Sequence, residues 1–311
     1  MPKAVLAELQ ADFDLGYHDS EAAVSRETLL KEVAGVDGCV LTLSDRVDDA
    51  FLEAAGEPLR VVANYAVGFD NVDVAAATQR RVVVTNTPDV LTNSTADLAL
   101  ALMLSLVRRV TAGDRFLRRR EAWTWAPTMM LGASLEDQLL GVVGFGRIGQ
   151  ALARRASCLG MRVVFSDSIE RDAPGFEQVA LPTLIERSDV ISLHCPLLPE
   201  THHLIGPDEL GAMKSTAVLI NTSRGAVIDE AALCAALHDG AIAGAGLDVF
   251  EHEPAVTEEL LELDNVVLAP HLGSATHQAR NAMGGLCASA LRAVLIEDRM
   301  PPNAVNGREL G

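Results

Sequence analysis

The stretch "LLGVVGFGRIGQALARR", beginning at Leu139, constrains the fold more than any other part of this chain. Gly144, Gly146 and Gly149 form GxGxxG directly after an apolar, β-branched run and at the start of a helical pattern. In that setting the first glycine permits a tight turn, the second lets the backbone approach a pyrophosphate, and the third lets the helix pack closely against the strand. The free N–H groups and positive dipole end of the helix then favour phosphate. Asp167 closes the next strand-like run, "RVVFSD", at the distance where a carboxylate meets the adenosine ribose of a dinucleotide.

The surrounding pattern agrees with a doubly wound parallel sheet. From Gly38 to Thr95 the β-rich runs "GCVLTL", "RVVANYA" and "RVVVTN" alternate with the helical "DDAFLEAAG" and "NVDVAAATQR", which makes a first α/β unit. From Leu139 onward "DVISLHCP", "AVLINT", "IAGAGLDVF" and "NVVLAP" bring the second unit to at least six strands. Between the two, "STADLALALMLSLVRRV" reads as one helix from Ser94 to Val110, capped at Ser94/Thr95. It is apolar on nearly every face, so it needs cover between domains or in a dimer interface. A last helix, from about Thr276 to Arg299, is free to return to the first unit.

Composition removes several classes of function. At 311 residues the chain can bury two ordinary cores, and no apolar run approaches the ~18 residues of a membrane span. The N-terminus lacks the pattern of an export leader, so no membrane is expected and the cytoplasm is the expected compartment. A formal charge of −18 repels a phosphate backbone, and nucleic acid is not expected as a partner. The basic cluster Arg118 to Arg120 reads as a solvated helix face. Five cysteines are scattered without a CxxC pair, which points to reduced thiols and no metal.

Three polar residues follow β-runs in the same manner: Arg224 in "VLINTSRGAVID", Glu253 in "AGLDVFEHEP" and His271 in "VVLAPHLGSAT". Successive parallel strands deliver their C-terminal loops to one crevice, so the three can meet there. An arginine grips a substrate carboxylate through two points, a histidine exchanges a proton, and a glutamate holds the histidine charged. Singly, each has an ordinary reading as a surface ion pair, a solvated acid or a core histidine. Jointly, after a dinucleotide fingerprint, they read as a catalytic set. His194, His202 and His203 have no carboxylate at motif spacing and are left unassigned.

The segments "VGFGRIGQALARR", "INTSRGAVIDEAAL", "GAGLDVFEHEP" and "LAPHLGSATHQAR" resemble the D-isomer-specific 2-hydroxyacid dehydrogenases, from about residue 5 to "PPNAVN". "NYAVGFDNVDVAAAT", "VTNTPDVLTNSTADLALALML" and "WAPTMMLG" are similar to the glyoxylate and hydroxypyruvate reductases among them. The resemblance implies an α/β fold of two Rossmann-like domains: a doubly wound dinucleotide-binding domain, residues 94–275, inserted in a smaller flavodoxin-like substrate domain, residues 1–93 and 276–311. It implies that Arg224 binds the carboxylate and keto oxygen of a small 2-keto acid, that His271 protonates that oxygen, and that Glu253 is its partner. Backbone N–H groups of Val67 and Gly68 would hold the carboxylate, and Trp125 would reach the pocket of the other subunit of a homodimer. Beyond Gly144, Gly146, Gly149 and Asp167, cofactor contacts would include Thr95, Arg147, Ile148, Cys195, Pro196, Thr201, Thr222, Asp248 and Gly273.

Two alternatives stay open: a D-lactate or other bulkier D-2-hydroxyacid dehydrogenase, and an NAD-sensing, corepressor-like binding protein. NADPH-using members tend to follow the second strand with a small polar residue and an arginine, where this chain has Asp167-Ser168. NAD is therefore the expected cofactor, with NADH preferred over NADPH, unless Arg171 folds back to offset the carboxylate. One departure concerns the start: family members usually open with a strand, so either this chain begins downstream or Lys3 to Ala7 forms a shortened strand.

Overall fold

A computed structural model of the chain describes residues 1–20, 23–120 and 122–311. These residues form two compact units, Met1–Leu91 with Ala275–Gly311, and Thr92–Ser274.

The first unit is built on a parallel three-stranded sheet, β1 (Gly38–Leu41), β2 (Val61–Asn64) and β3 (Val83–Thr85), in that order. Asp48 and Asp73 cap the helices Asp49–Ala55 and Val74–Gln79, each accepting from a backbone N–H of the first turn. Phe51, Leu52, Ala76 and Ala77 on those helices join Val62 and Val84 of the strands in one core. The helix His277–Leu295, capped by Thr276, covers β1 and β2. Lys3–Asp12 is a helix, which overturns one of the two alternatives for this segment, a shortened strand at Lys3 to Ala7. The reason lies in the spacing: buried Val5 and Leu9 are four apart and share one helical face, which packs on the helix His277–Leu295. Arg292 of that helix pairs with Glu8 and Asp12.

The second unit holds seven strands, all parallel: β4 (Leu139–Val143), β5 (Arg162–Ser166), β6 (Glu177–Gln178), β7 (Val190–Leu193), β8 (Val218–Asn221), β9 (Gly244–Leu247) and β10 (Val266–Leu268). Their order is β10-β9-β8-β7-β4-β5-β6, so the winding reverses between β4 and β7, the place where open α/β sheets bind ligands. β4, β7 and β8 are buried at every position, as strands covered by helices on both faces must be.

The long apolar pattern of this unit is two helices rather than the single one expected from Ser94 to Val110. The first runs from Thr92 to Val107 and the second from Val110 to Arg118, and Arg109 breaks them apart with φ 56°. Ser94 and Thr95 therefore lie inside the first turns and are not its cap. Thr95, Ala96, Ala99, Leu102 and Met103 form the buried face, which packs on the helix Arg147–Cys158 and on β8 and β9. Among the described residues, no helix is long and apolar enough to cross a membrane.

Candidate active site

β8, β9 and β10 are adjacent and parallel, so the chain leaves all three at one edge of the sheet. Arg224 follows β8, Asp248 and Glu253 follow β9, and His271 follows β10. The loop after β8 is pinned by buried Asn221, whose Nδ2 donates to the Arg224 carbonyl at 2.8 Å and whose Oδ1 accepts from the Ser223 N–H at 3.0 Å. Gly225 lies directly against the loop after β9: a Cβ there would stand 1.9 Å from the Phe250 carbonyl carbon. Only a glycine allows this approach, which brings the backbone beside Arg224 against the segment that leads to Glu253.

His271 meets Glu253 through Nδ1 and Oε2 at 2.8 Å. The other oxygen of Glu253 accepts from the Phe250 N–H at 3.1 Å, which fixes the carboxylate within its own turn. Burial opposes ionisation of Glu253, but His271, the Phe250 N–H and the charge of Arg224 outweigh it and hold the carboxyl below its usual range. With Nδ1 taken by the carboxylate, Nε2 is the ring nitrogen left to carry a transferable proton.

His271 occupies left-handed backbone with φ 53°, unusual for a residue with a side chain. Asp248 holds it there. The Asp248 carbonyl accepts from the His271 N–H at 2.8 Å, and its two carboxylate oxygens accept from the N–H groups of Leu272 and Gly273 at 2.6 and 2.8 Å. Thr95 then donates to the Gly273 carbonyl at 3.1 Å. Burial pushes the Asp248 carboxyl above its usual range even against these donors. Asp248, Thr95 and Gly273, expected at the cofactor, thus form the brace of the histidine loop, a role with no pattern in the sequence beyond an acid directly after an apolar strand.

The glycine loop has the geometry that its spacing predicts. Gly144 has φ 87°, and a Cβ there would lie 2.6 Å from the Cys195 nitrogen. A Cβ on Gly149 would lie 2.3 Å from the Gly144 carbonyl oxygen, so that residue allows the helix Arg147–Cys158 to start against β4. Gly146 meets nothing within 4 Å. Open space over Gly146 and a helix N-terminus without a side-chain cap fit a pyrophosphate. Thr222, also expected at the cofactor, is buried with its hydroxyl unpartnered among the described residues, as a group awaiting a ligand would be. The donor set therefore fits a dinucleotide.

Asp167 accepts from the Phe145 N–H at 2.8 Å, the Ile169 N–H at 3.2 Å and the Arg171 Nε at 2.6 Å. Arg171 has folded back onto the carboxylate, which the sequence left open. Burial of Asp167 works against its charge, yet these donors hold it below the usual carboxylate range.

The remaining expected residues fall in three places. Arg147 is exposed and Ile148 half-buried at the start of the glycine-loop helix, while Cys195, Pro196 and Thr201 form the loop after β7. There Thr201 Oγ1 donates to the Pro196 carbonyl at 2.6 Å, and burial pushes the Cys195 thiol up to about 11, which makes it inert. Trp125 is 76% exposed, on the connection between the helix Val110–Arg118 and β4, and is not part of the sheet-edge cluster of Arg224, Glu253 and His271. Val67 and Gly68 belong to the first unit, where Asn86 and Asn64 hold their carbonyls at 2.7 and 2.8 Å. Among the described residues nothing accepts from their N–H groups, which suits them to an anion.

Residues 100–273 match the family model described as D-isomer specific 2-hydroxyacid dehydrogenase, NAD binding domain. The chain is 48% identical to a glyoxylate reductase of Thermococcus litoralis, over 98% of this chain and 94% of that protein. A crystal structure of a protein from Thermus thermophilus is similar with TM-score 0.93 and 43% identity, covering 98% of this chain and 97% of that one. An NADPH-dependent glyoxylate/hydroxypyruvate reductase from Sinorhizobium meliloti, solved with NADP and malonate, is similar with TM-score 0.81 and 37% identity, covering 94% and 90%. The chain belongs to the D-isomer-specific 2-hydroxyacid dehydrogenase family and is an oxidoreductase of the glyoxylate reductase-like subgroup. Its cofactor is a nicotinamide dinucleotide.

Replacing His271 by glutamine keeps a polar side chain but removes the transferable proton. Turnover is expected to fall by roughly a hundredfold or more, the scale of general acid catalysis, while dinucleotide binding measured by fluorescence titration persists. Near-normal turnover would remove His271 from the chemistry.

Proposed function

We propose that the protein reduces a small 2-keto acid, glyoxylate or hydroxypyruvate, to the 2-hydroxy acid, with His271 as the proton donor. The observation that carries this reading is the 2.8 Å His271–Glu253 pair on the same sheet edge as Arg224. The name of the Thermococcus litoralis relative supports the substrate class. When bound, the dinucleotide supplies a hydride for the carbonyl carbon. Arg224 grips the carboxylate and keto oxygen, with the N–H groups of Val67 and Gly68 as further donors to the carboxylate. His271 gives the Nε2 proton to the oxygen as negative charge builds there, and Glu253 compensates the charge that the ring carries beforehand. In the oxidative direction the same nitrogen takes the proton back.

For the cofactor we propose that NADH is preferred over NADPH, through Asp167 acting on the ribose hydroxyls. Its bond to Arg171 tempers that choice, because a compensated carboxylate repels a 2′-phosphate less than a lone one, and the guanidinium is itself a phosphate ligand. Thr95, Gly144, Gly146, Arg147, Ile148, Gly149, Cys195, Pro196, Thr201, Thr222, Asp248 and Gly273 remain the proposed cofactor shell, Asp248 through the loop it braces. The working form is proposed to be a homodimer, since Val110, Leu117, Trp123, Trp125 and Leu131 expose apolar surface within one short stretch of chain. A single-chain mass in light scattering at micromolar concentration would refute the dimer.

Steady-state kinetics with glyoxylate, hydroxypyruvate and bulkier 2-keto acids, each with NADH and NADPH, test the reading. The smallest keto acids are expected to give the highest kcat/KM, with NADH favoured by about tenfold, a difference of ~1.4 kcal/mol. Arg171→Ala should widen that ratio severalfold by exposing the Asp167 charge to the 2′-phosphate. Preference for bulky keto acids would contradict the substrate class, and an unchanged cofactor ratio would contradict the role of Arg171.

A further inference from the structure

His202 and His203 have no carboxylate at motif spacing in the sequence, and the fold supplies one from 48 residues away. His203 sits in left-handed backbone with φ 52°, its N–H donating to the Ala226 carbonyl at 2.8 Å. Its Nε2 meets Glu251 Oε1 at 2.7 Å. The Glu251 carboxylate is anchored from behind. Its second oxygen accepts from the Glu230 N–H at 3.3 Å, and its own N–H donates to the buried Glu230 carboxylate at 2.9 Å. The His202 ring lies 4.0 Å from that of His203, with 30° between their planes.

The pair His203–Glu251 would suffice as a staple between the loop after β7 and the loop after β9. A staple does not need His202, yet one donor atom from each of His202, His203 and Glu251 lies within 4.8 Å of the others. We propose that these residues form a binding site for a divalent transition-metal ion of the zinc class. Two imidazole nitrogens and one carboxylate oxygen are the donor set of zinc and its neighbours, whereas magnesium and calcium call for oxygen ligands throughout. Ligand bonds of about 2.0–2.2 Å place tetrahedral donors roughly 3.4 Å apart, so a small opening of the His203–Glu251 contact admits the ion. His202 is exposed, which gives the ion an entry path and leaves a coordination position for water.

Although burial opposes it, the contacts to His203 and the Glu230 N–H keep Glu251 below the usual carboxyl range, and the oxygen ligand stays charged at neutral pH. The ion joins the loop that carries Thr201 to the segment that leads to Glu253. It therefore stiffens both loops.

The purified full chain, stripped with chelator, is titrated with zinc chloride by calorimetry, and cobalt(II) is used as an optical reporter. The expected result is one ion per chain with micromolar dissociation constant, a tetrahedral cobalt spectrum and a rise in Tm. His202→Ala leaves the His203–Glu251 contact in place and should weaken binding at least tenfold, and His203→Gln should abolish it. No stoichiometric binding by the wild type, or an affinity within threefold of wild type in His202→Ala, would overturn the proposal.

Discussion

The hydrogen bond from His271 Nδ1 to Glu253 Oε2 joins the loops that follow two neighbouring strands, and the surrounding structure is arranged to keep it. Its cost is visible in the backbone. A histidine at φ 53° is strained on the order of 1 kcal/mol or more, and such a residue persists only where its neighbours over-determine it. Here the neighbours are the three acceptors of Asp248 on the N–H groups of His271, Leu272 and Gly273. A buried carboxylate on backbone N–H groups is a stiff support, since losing either bond would leave a polar group unsatisfied in the interior.

The same sheet sets the electrostatics. Arg224, Glu253 and His271 arrive from β8, β9 and β10 in strand order, so a cation, an anion and an imidazole share one edge. Glu253 stays ionised because its partner and the charge of Arg224 outweigh its desolvation. At the other end of the sheet reversal, Asp167 stays ionised by a different means, a neighbouring guanidinium and two N–H groups. Two carboxylates thus stay ionised by two means, one against an imidazole and one against a guanidinium.

The alternation of strands and helices was legible in the sequence, along with the glycine loop and the three residues at strand ends, because each rests on local spacing. Gly149 is required by a contact to the Gly144 carbonyl and Gly144 by its positive φ in the turn, and a short pattern carries that information. What local spacing hid was long-range: the fold of Arg171 onto Asp167, the grip of Asp248 on the histidine loop, and Glu251 meeting His203 from 48 residues away. The break at Arg109 was hidden for another reason. An arginine carries no breaking signal, and neither glycine nor proline marks the junction at Arg109. The helix at Lys3 to Ala7 was hidden because apolar residues in a short terminal run suit strand and helix alike, until Val5 and Leu9 find one partner face.

The central proposal is that His271 exchanges the proton, with Glu253 behind it. The most direct test is the pH dependence of kcat/KM for the wild type in both directions, keto-acid reduction and hydroxy-acid oxidation, at one ionic strength. With His271 in the proposed role, reduction would need the protonated ring and oxidation the neutral one. Reduction is expected to be lost on the alkaline side and oxidation on the acid side. Limbs that run in the same direction, or a reduction rate flat through the range where histidines titrate, would contradict it.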